Sequence, residues 1–187
     1  LARARGVWSV IDGAHAPGQV SLDLAALGAD FYAGNCHKWL MAPKGTAFLY
    51  ARPDVQPLLT PAIISHGWTA DGVALGPFGG TPFQDRFQFQ ATRDPAGFLA
   101  IPTAIAFRQE QGWDKIIANC CALAQETGRR VASFTGRPPI ASSAFCAPQM
   151  VAMPVPDCDP MPTHDRLLAE FGIEIPVIRW QGRSFIR

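Results

Sequence analysis

Gly34-Asn35-Cys36-His37-Lys38-Trp39 decides how the rest of the chain reads. An apolar, aromatic run, Ala29-Asp30-Phe31-Tyr32-Ala33, precedes it. A turn, Met41-Ala42-Pro43-Lys44-Gly45, and a second apolar run, Thr46-Ala47-Phe48-Leu49-Tyr50, follow. A cation in a short loop between two buried strands is unusual, because burial penalises the ammonium form and favours the free amine, which is nucleophilic. The chain has three lysines, Lys38, Lys44 and Lys115. Lys44 lies in a Pro-Lys-Gly turn that reads as solvated, and Lys115 follows Trp113-Asp114 at a helix start. Lys38 is therefore the lysine for covalent chemistry, the alternative being a side chain that snorkels from a strand end.

Upstream, Trp8-Ser9-Val10-Ile11 reads as a short buried strand ending in Asp12-Gly13-Ala14-His15-Ala16-Pro17-Gly18. An acid at the carboxyl end of a strand, followed by a Gly/Pro loop, is a common placing of functional groups in open α/β sheets. Leu22 to Gly28 reads as a short helix with a glycine stop, so strand, helix and strand form one crossover unit. Parallel pairing brings Asp12 and Lys38 to the same sheet edge. An aspartate for a pyridinium nitrogen and a Schiff-base lysine are what a pyridoxal phosphate site requires.

These motifs, together with Asp30 to Trp39 and Ala42-Pro43-Lys44-Gly45, resemble the class V aminotransferase family, fold type I pyridoxal-phosphate enzymes, and within it the isopenicillin N epimerase-like branch. The resemblance implies a fold class: α/β, the C-terminal part of a fold type I large domain (mixed sheet with flanking helices) plus a small α+β domain. It implies pyridoxal 5'-phosphate as cofactor, an amino-acid substrate and a homodimer with shared active sites. Asp12 matches the residue that keeps the pyridine nitrogen protonated, and Lys38 the Schiff-base lysine. His15 stands where relatives place a polar side chain near the ring oxygen. His37, and with it Asn35, match phosphate contacts. Thr92, in Ala91-Thr92-Arg93-Asp94, matches a threonine that reaches the phosphate of the neighbouring subunit, although Ala91 replaces the usual glycine. Read locally, Thr92 is instead a helix cap. Arg187, in Phe185-Ile186-Arg187, matches the arginine that clamps the substrate carboxylate, with a solvated strand-end arginine as the rival reading.

The first six residues read as a helix end, so the chain reads as beginning inside a domain. Family members carry a preceding part that supplies a ring-stacking residue and phosphate-binding backbone. The large-domain part is expected over residues 1–112 and the small domain over 113–187. Within the first, Leu58 to Ile64 reads as a connector and short strand, His66 to Gly80 as a glycine-rich loop, and Phe87-Gln88-Phe89-Gln90 as an alternating strand. Helices are expected over Ala96–Gln111, kinked or delayed by Pro102, and Trp113–Phe134. Met150 to Val155 reads as a strand, and Thr163 as the cap of a helix ending at Gly172. A hairpin is expected around Gln181-Gly182-Arg183.

Hydrophobic residues make up 48% of the chain, enough for a sizeable core, and a net charge of +1 argues against a basic nucleic-acid surface. No apolar run approaches a membrane span. The five cysteines have neither metal nor disulfide spacing and read as free thiols in a reducing, cytoplasmic setting. A cysteine desulfurase or selenocysteine lyase would carry a nucleophilic cysteine near Gly172 to Val177, where there is none. A non-catalytic fold type I relative is opposed by the presence of Lys38 and Asp12. Asp12, His15 and His37 read as metal ligands would make a hydrolase, but the Lys38 surroundings would then be incidental, and no metal is expected.

Overall fold

A computed structural model describes residues 1–69 and 80–187. Gly72, Gly76 and Gly79 of the expected glycine-rich loop lie outside the described residues. The chain divides into two compact units, Leu1–Phe107 and Arg108–Arg187.

The first unit is built on strands β1 (Val10–Asp12), β2 (Phe31–Asn35) and β3 (Ala47–Ala51), in that spatial order. β1 and β2 run parallel, with Asp12 opposite Ala33; β2 and β3 run antiparallel, with Asn35 opposite Ala47. The parallel pair requires a crossover, supplied by helix α1 (Leu24–Leu27). Asp23 caps it, Oδ1 accepting from the Ala26 amide at 3.0 Å, and Gly28 at φ 64° ends it. The ends of β1 and β2 therefore meet at one sheet edge.

At the opposite edge Asp30 ties the sheet together. Its buried carboxylate accepts from the Ser9 amide at 2.8 Å and the Ser9 hydroxyl at 3.0 Å, and pairs with Arg52 at 2.9 Å. The Ser9 amide, then the Ser9 hydroxyl and the charges of Arg52 and Arg3, hold this carboxyl below its usual range against the opposing effect of burial. Phe31, Ala51 and Val55 form the nearby core, against which Leu59 and Phe83 pack.

Three expectations are corrected here. β1 is not a buried strand: Trp8 is 62% and Val10 76% exposed, because β1 pairs only with β2 among the described residues. Leu58 to Ile64 holds no strand; a 3-10 helix spans Pro53–Leu58, and Ile63 and Ile64 are exposed. Phe87 and Gln88 end a helix, α2 (Pro82–Gln88). Thr81 and Gln84 close a reciprocal capping box, Thr81 Oγ1 accepting from the Gln84 amide and Gln84 Oε1 from the Thr81 amide. Proline at the first helical position adds to that start, and the Phe83 and Phe87 rings pack one turn apart, tilted at 40° with centroids 4.8 Å apart.

Ala100 separates α3 (Ala96–Leu99) from α4 (Ile101–Glu110), whose second residue is Pro102. The second unit contains α5 (Trp113–Thr135), α6 (Pro160–Phe171) and an antiparallel sheet ordered β4 (Met153–Val155), β6 (Arg183–Ile186), β5 (Val177–Trp180). Helix α6 starts three residues before the expected Thr163, because Pro160 takes the first helical position. The β5–β6 hairpin turns on Gln181 and Gly182, both at positive φ, as a two-residue primed turn requires. The protein is thus mixed α/β.

Candidate active site

The site begins at the carboxyl end of β1. Asp12 is exposed there, with Oδ1 accepting from the Ala14 amide at 2.9 Å. The Gly13 amide donates to Ala33 O at 2.8 Å, continuing the ladder beyond Asp12. Beneath the loop lies Tyr32, 2% exposed, its hydroxyl donating to Gly13 O at 3.4 Å. A Cβ on Gly13 would fall 1.9 Å from Tyr32 Cζ and Oη, so the ring needs glycine above it. Burial, and secondarily the Asp12 charge, push the Tyr32 hydroxyl upward and keep it protonated as a donor.

The loop after β1 lies directly on the loop after β2. Gly18 sits at φ 82°, and a Cβ there would fall 2.5 Å from Trp39 O and 2.6 Å from Leu40 N. Gln19, buried, donates from Nε2 to His15 O at 2.7 Å. This ties the His15 backbone within the first loop. Lys38 Nζ approaches His15 Nε2 at 3.2 Å, and Trp39 Nε1 donates to His15 Nδ1 at 3.1 Å. Lys38 is half-buried, whereas Lys44 and Lys115 are exposed.

Thr46 O braces the second loop. It accepts from the Cys36 amide at 3.0 Å, the His37 amide at 3.3 Å and His37 Nδ1 at 3.0 Å. Ala42 N donates to Cys36 O at 3.0 Å, and Thr46 Oγ1 donates to Pro43 O at 2.7 Å. Burial pushes the Cys36 thiol up, which suits packing and not nucleophilic attack. Asn35 is half-buried at the end of β2.

Asp12, His15, Asn35, His37 and Lys38 therefore gather at one sheet edge, with His15 bridging to Lys38. Thr92 is elsewhere in the first unit, in an exposed bend. It does not cap the next helix: Asp94 Oδ1 accepts from the Ala96 amide at 2.8 Å. Ala91 adopts φ 65°, the left-handed conformation that glycine takes without strain. Arg187 is exposed after β6 in the second unit, its amide donating to Pro176 O at 3.3 Å. Among the described residues no cluster of three or more His, Cys, Asp or Glu side chains is disposed to hold a metal, and no helix is long and apolar enough to cross a membrane. Sequence reasoning missed Tyr32 and Trp39. The available signal was an indole donor adjoining the lysine and an aromatic residue two positions before Gly34.

A parallel strand pair with an acid at one carboxyl end and an amine in the next loop is an α/β arrangement. The cysteine desulfurase of Thermococcus onnurineus NA1, in its apo structure, shares this fold at TM-score 0.74 and 20% identity, over 99% of this chain and 48% of that one. The aminotransferase class-V family model matches residues 1–179, and the chain belongs to that family, which uses pyridoxal phosphate. It is 36% identical over 190 residues to the isopenicillin N epimerase of Amycolatopsis lactamdurans, covering 95% of this chain and 46% of that protein. It is 33% identical over 147 residues to an L-cysteine desulfhydrase-like protein of Epichloe uncinata, covering 68% of this chain and 30% of that protein. The chain thus spans less than half the length of each of these relatives.

Proposed function

We propose that this chain carries the lysine-bearing portion of a pyridoxal-phosphate enzyme that acts on an amino acid in the manner of the isopenicillin N epimerases. The observation that carries the reading is the 3.2 Å approach of Lys38 Nζ to His15 Nε2, between loops that leave adjacent parallel strands. In fold type I terms the chain is the C-terminal part of the large domain followed by the small domain, divided near Gly112.

The donor set suits the cofactor: a carboxylate, a primary amine and two imidazoles lie at one sheet edge. Bound, pyridoxal phosphate supplies a protonated ring that accepts the electron pair released when the substrate Cα–H bond breaks. Asp12 keeps the proton on the ring nitrogen. Lys38 would hold the cofactor through Nζ and, as a free amine, would be the base that removes or returns the α-proton. His37 and Asn35 would hold the phosphate. Nδ1–H donation to Thr46 O fixes the orientation of the His37 ring. Thr92 serves the phosphate of a partner subunit in a homodimer, and Arg187 takes the substrate carboxylate as a bidentate pair.

Treating the chain with pyridoxal phosphate and borohydride, then mapping the modified peptide by mass spectrometry, tests this. The label is expected on Lys38; a label on Lys44 or Lys115 refutes the assignment. Similarity to the desulfhydrase-like protein favours a second reading, carbon–sulfur bond cleavage of cysteine. Sulfide release from cysteine, unaffected by Cys146→Ser or Cys158→Ser, would make that reading the better one over epimerisation. Loss of sulfur release in either variant would point to a cysteine-dependent desulfurase.

A further inference from the structure

We propose that His164 is a proton-operated staple that fixes the approach to β5 and, through Pro176, the backbone of Arg187. The ring of His164, on α6, lies between two carboxylates. Nδ1 is 3.0 Å from Asp165 Oδ1, on the same helix, and Nε2 is 3.2 Å from Glu174 Oε1, on the segment that links α6 to β5. An ionised carboxylate only accepts, and a neutral imidazole has one N–H. The neutral ring can therefore donate to one of these oxygens and not to the other. The imidazolium donates to both. Asp165 first, then Glu174, hold the imidazole above its ordinary 6.5, against the smaller opposing effect of burial. The other charged groups of α6 and β5 are engaged elsewhere: Arg166 with Glu170 at 2.9 Å, and Arg179 with Asp157 at 3.1 Å.

The segment that the staple holds is otherwise lightly fixed. Gly172, at φ 65°, ends α6, and the Ile173 amide donates to Leu167 O at 3.0 Å. Beyond that point Glu174 and Pro176 are exposed and Ile175 is half-buried. Pro176 stands opposite Arg187, one step past the Val177–Ile186 pair of the ladder. A hydrogen-bonded pair in an antiparallel ladder exchanges two bonds, but proline has no N–H. One bond therefore forms here, from the Arg187 amide to Pro176 O at 3.3 Å. The Glu174 tie reinforces this singly bonded strand end, which carries the Arg187 main chain. Its contribution is complete below the ordinary histidine value and is lost as the pH rises through the raised folded value. His164 and Glu174 are positioning residues in this scheme. Their bearing on substrate rests on Arg187 being the carboxylate clamp; the staple itself does not.

The test is an NMR titration of the cofactor-free 187-residue chain across neutral pH. It follows the His164 ring nitrogens, assigned by comparison with His164→Gln, and the solvent exchange of the Arg187 amide relative to its unstructured rate. The ring is expected to titrate above 6.5, with both nitrogens protonated on the acid side. Protection of the Arg187 amide should fall about two- to fivefold through the same midpoint, the effect of one exposed charge pair. In His164→Gln it should stay at the lower level at every pH. Glu174→Gln keeps the length of the side chain and removes its charge, so the ring midpoint and the Arg187 transition should both move down. A midpoint at or below 6.5, a midpoint unmoved by Glu174→Gln, or Arg187 protection that ignores the transition overturns the proposal. Glu174 is exposed, so its variant decides should His164→Gln fail to fold. Cofactor capture with borohydride separates the two proposals. Capture on Lys38 without the Arg187 transition leaves the function standing and removes the staple. Capture on Lys44 or Lys115 with the transition present does the reverse.

Discussion

Gly18→Ala should destabilise the first unit far more than Gly45→Ala, although both glycines have nearly the same backbone angle, φ 82° and 87°. Each substitution forces an L residue into the left-handed region, at about 1–2 kcal/mol. Each recovers about 0.4–1 kcal/mol, because alanine restricts the unfolded chain. For Gly45 nothing else changes, since a Cβ there meets no atom within 4 Å. A net loss of about 0.5–1 kcal/mol follows from the difference between those two terms. At Gly18 the new Cβ lands 2.5 Å from Trp39 O and 2.6 Å from Leu40 N. These are main-chain atoms that cannot swing aside, so overpacking adds about 1–3 kcal/mol. Urea denaturation followed by tryptophan fluorescence measures the contrast. With a slope of roughly 1–3 kcal/mol per molar, the Gly18→Ala midpoint should fall about 1 M below that of Gly45→Ala. Coincident midpoints would mean that the two loops are not in contact, and the described arrangement of His15 against Lys38 would lose its support.

Ala91→Gly should stabilise the fold by about 0.5–1 kcal/mol, the relief of left-handed strain less the added unfolded-chain entropy, seen as a raised denaturation midpoint. Asp30 has a folded-state value below the ordinary 3.8, so its contribution is complete above that pH and is lost as the pH falls through the lower value. Asp30→Asn should lower the midpoint at pH 7 and flatten its decline on acidification; an unchanged acid limb would show that the carboxylate is not held as described. Asp12→Asn in an active enzyme should reduce kcat by on the order of a hundredfold or more with little change in KM, as expected for charge that acts mainly in the transition state. Equal turnover would make Asp12 a loop residue.

Much of the first unit was legible because its signals are local. The Gly28 stop and the two apolar runs predict β1, α1 and β2, and the parallel pairing then places the Asp12 and Lys38 loops at one edge. Helix α2 shows how local signals compete. The alternation of Phe87 to Gln90 suggests a strand, but the Thr81–Gln84 box and Pro82 start a helix that absorbs Phe87 and Gln88. Periodicity describes side-chain placement, whereas a cap satisfies backbone donors at a defined point, and here the cap prevailed. The exposure of β1 was not legible, since an apolar run does not say which neighbours cover it. Neither was the His15–Trp39 contact, which joins residues 24 apart and depends on the Gly18 crossing. Ala91 is an instructive middle case: the departure from glycine was visible, yet the structure keeps the glycine-like angle.

Three donors converge on Thr46 O: two amides and an imidazole from the loop that presents Lys38. That oxygen is a main-chain atom, so no substitution at position 46 deletes it. Inheritance of this brace depends on the path of the backbone and not on the identity of a side chain. Replacing residue 46 therefore leaves the acceptor itself in place, and what such a change puts at risk is the separate tie from Thr46 Oγ1 to Pro43 O that shapes the turn before it.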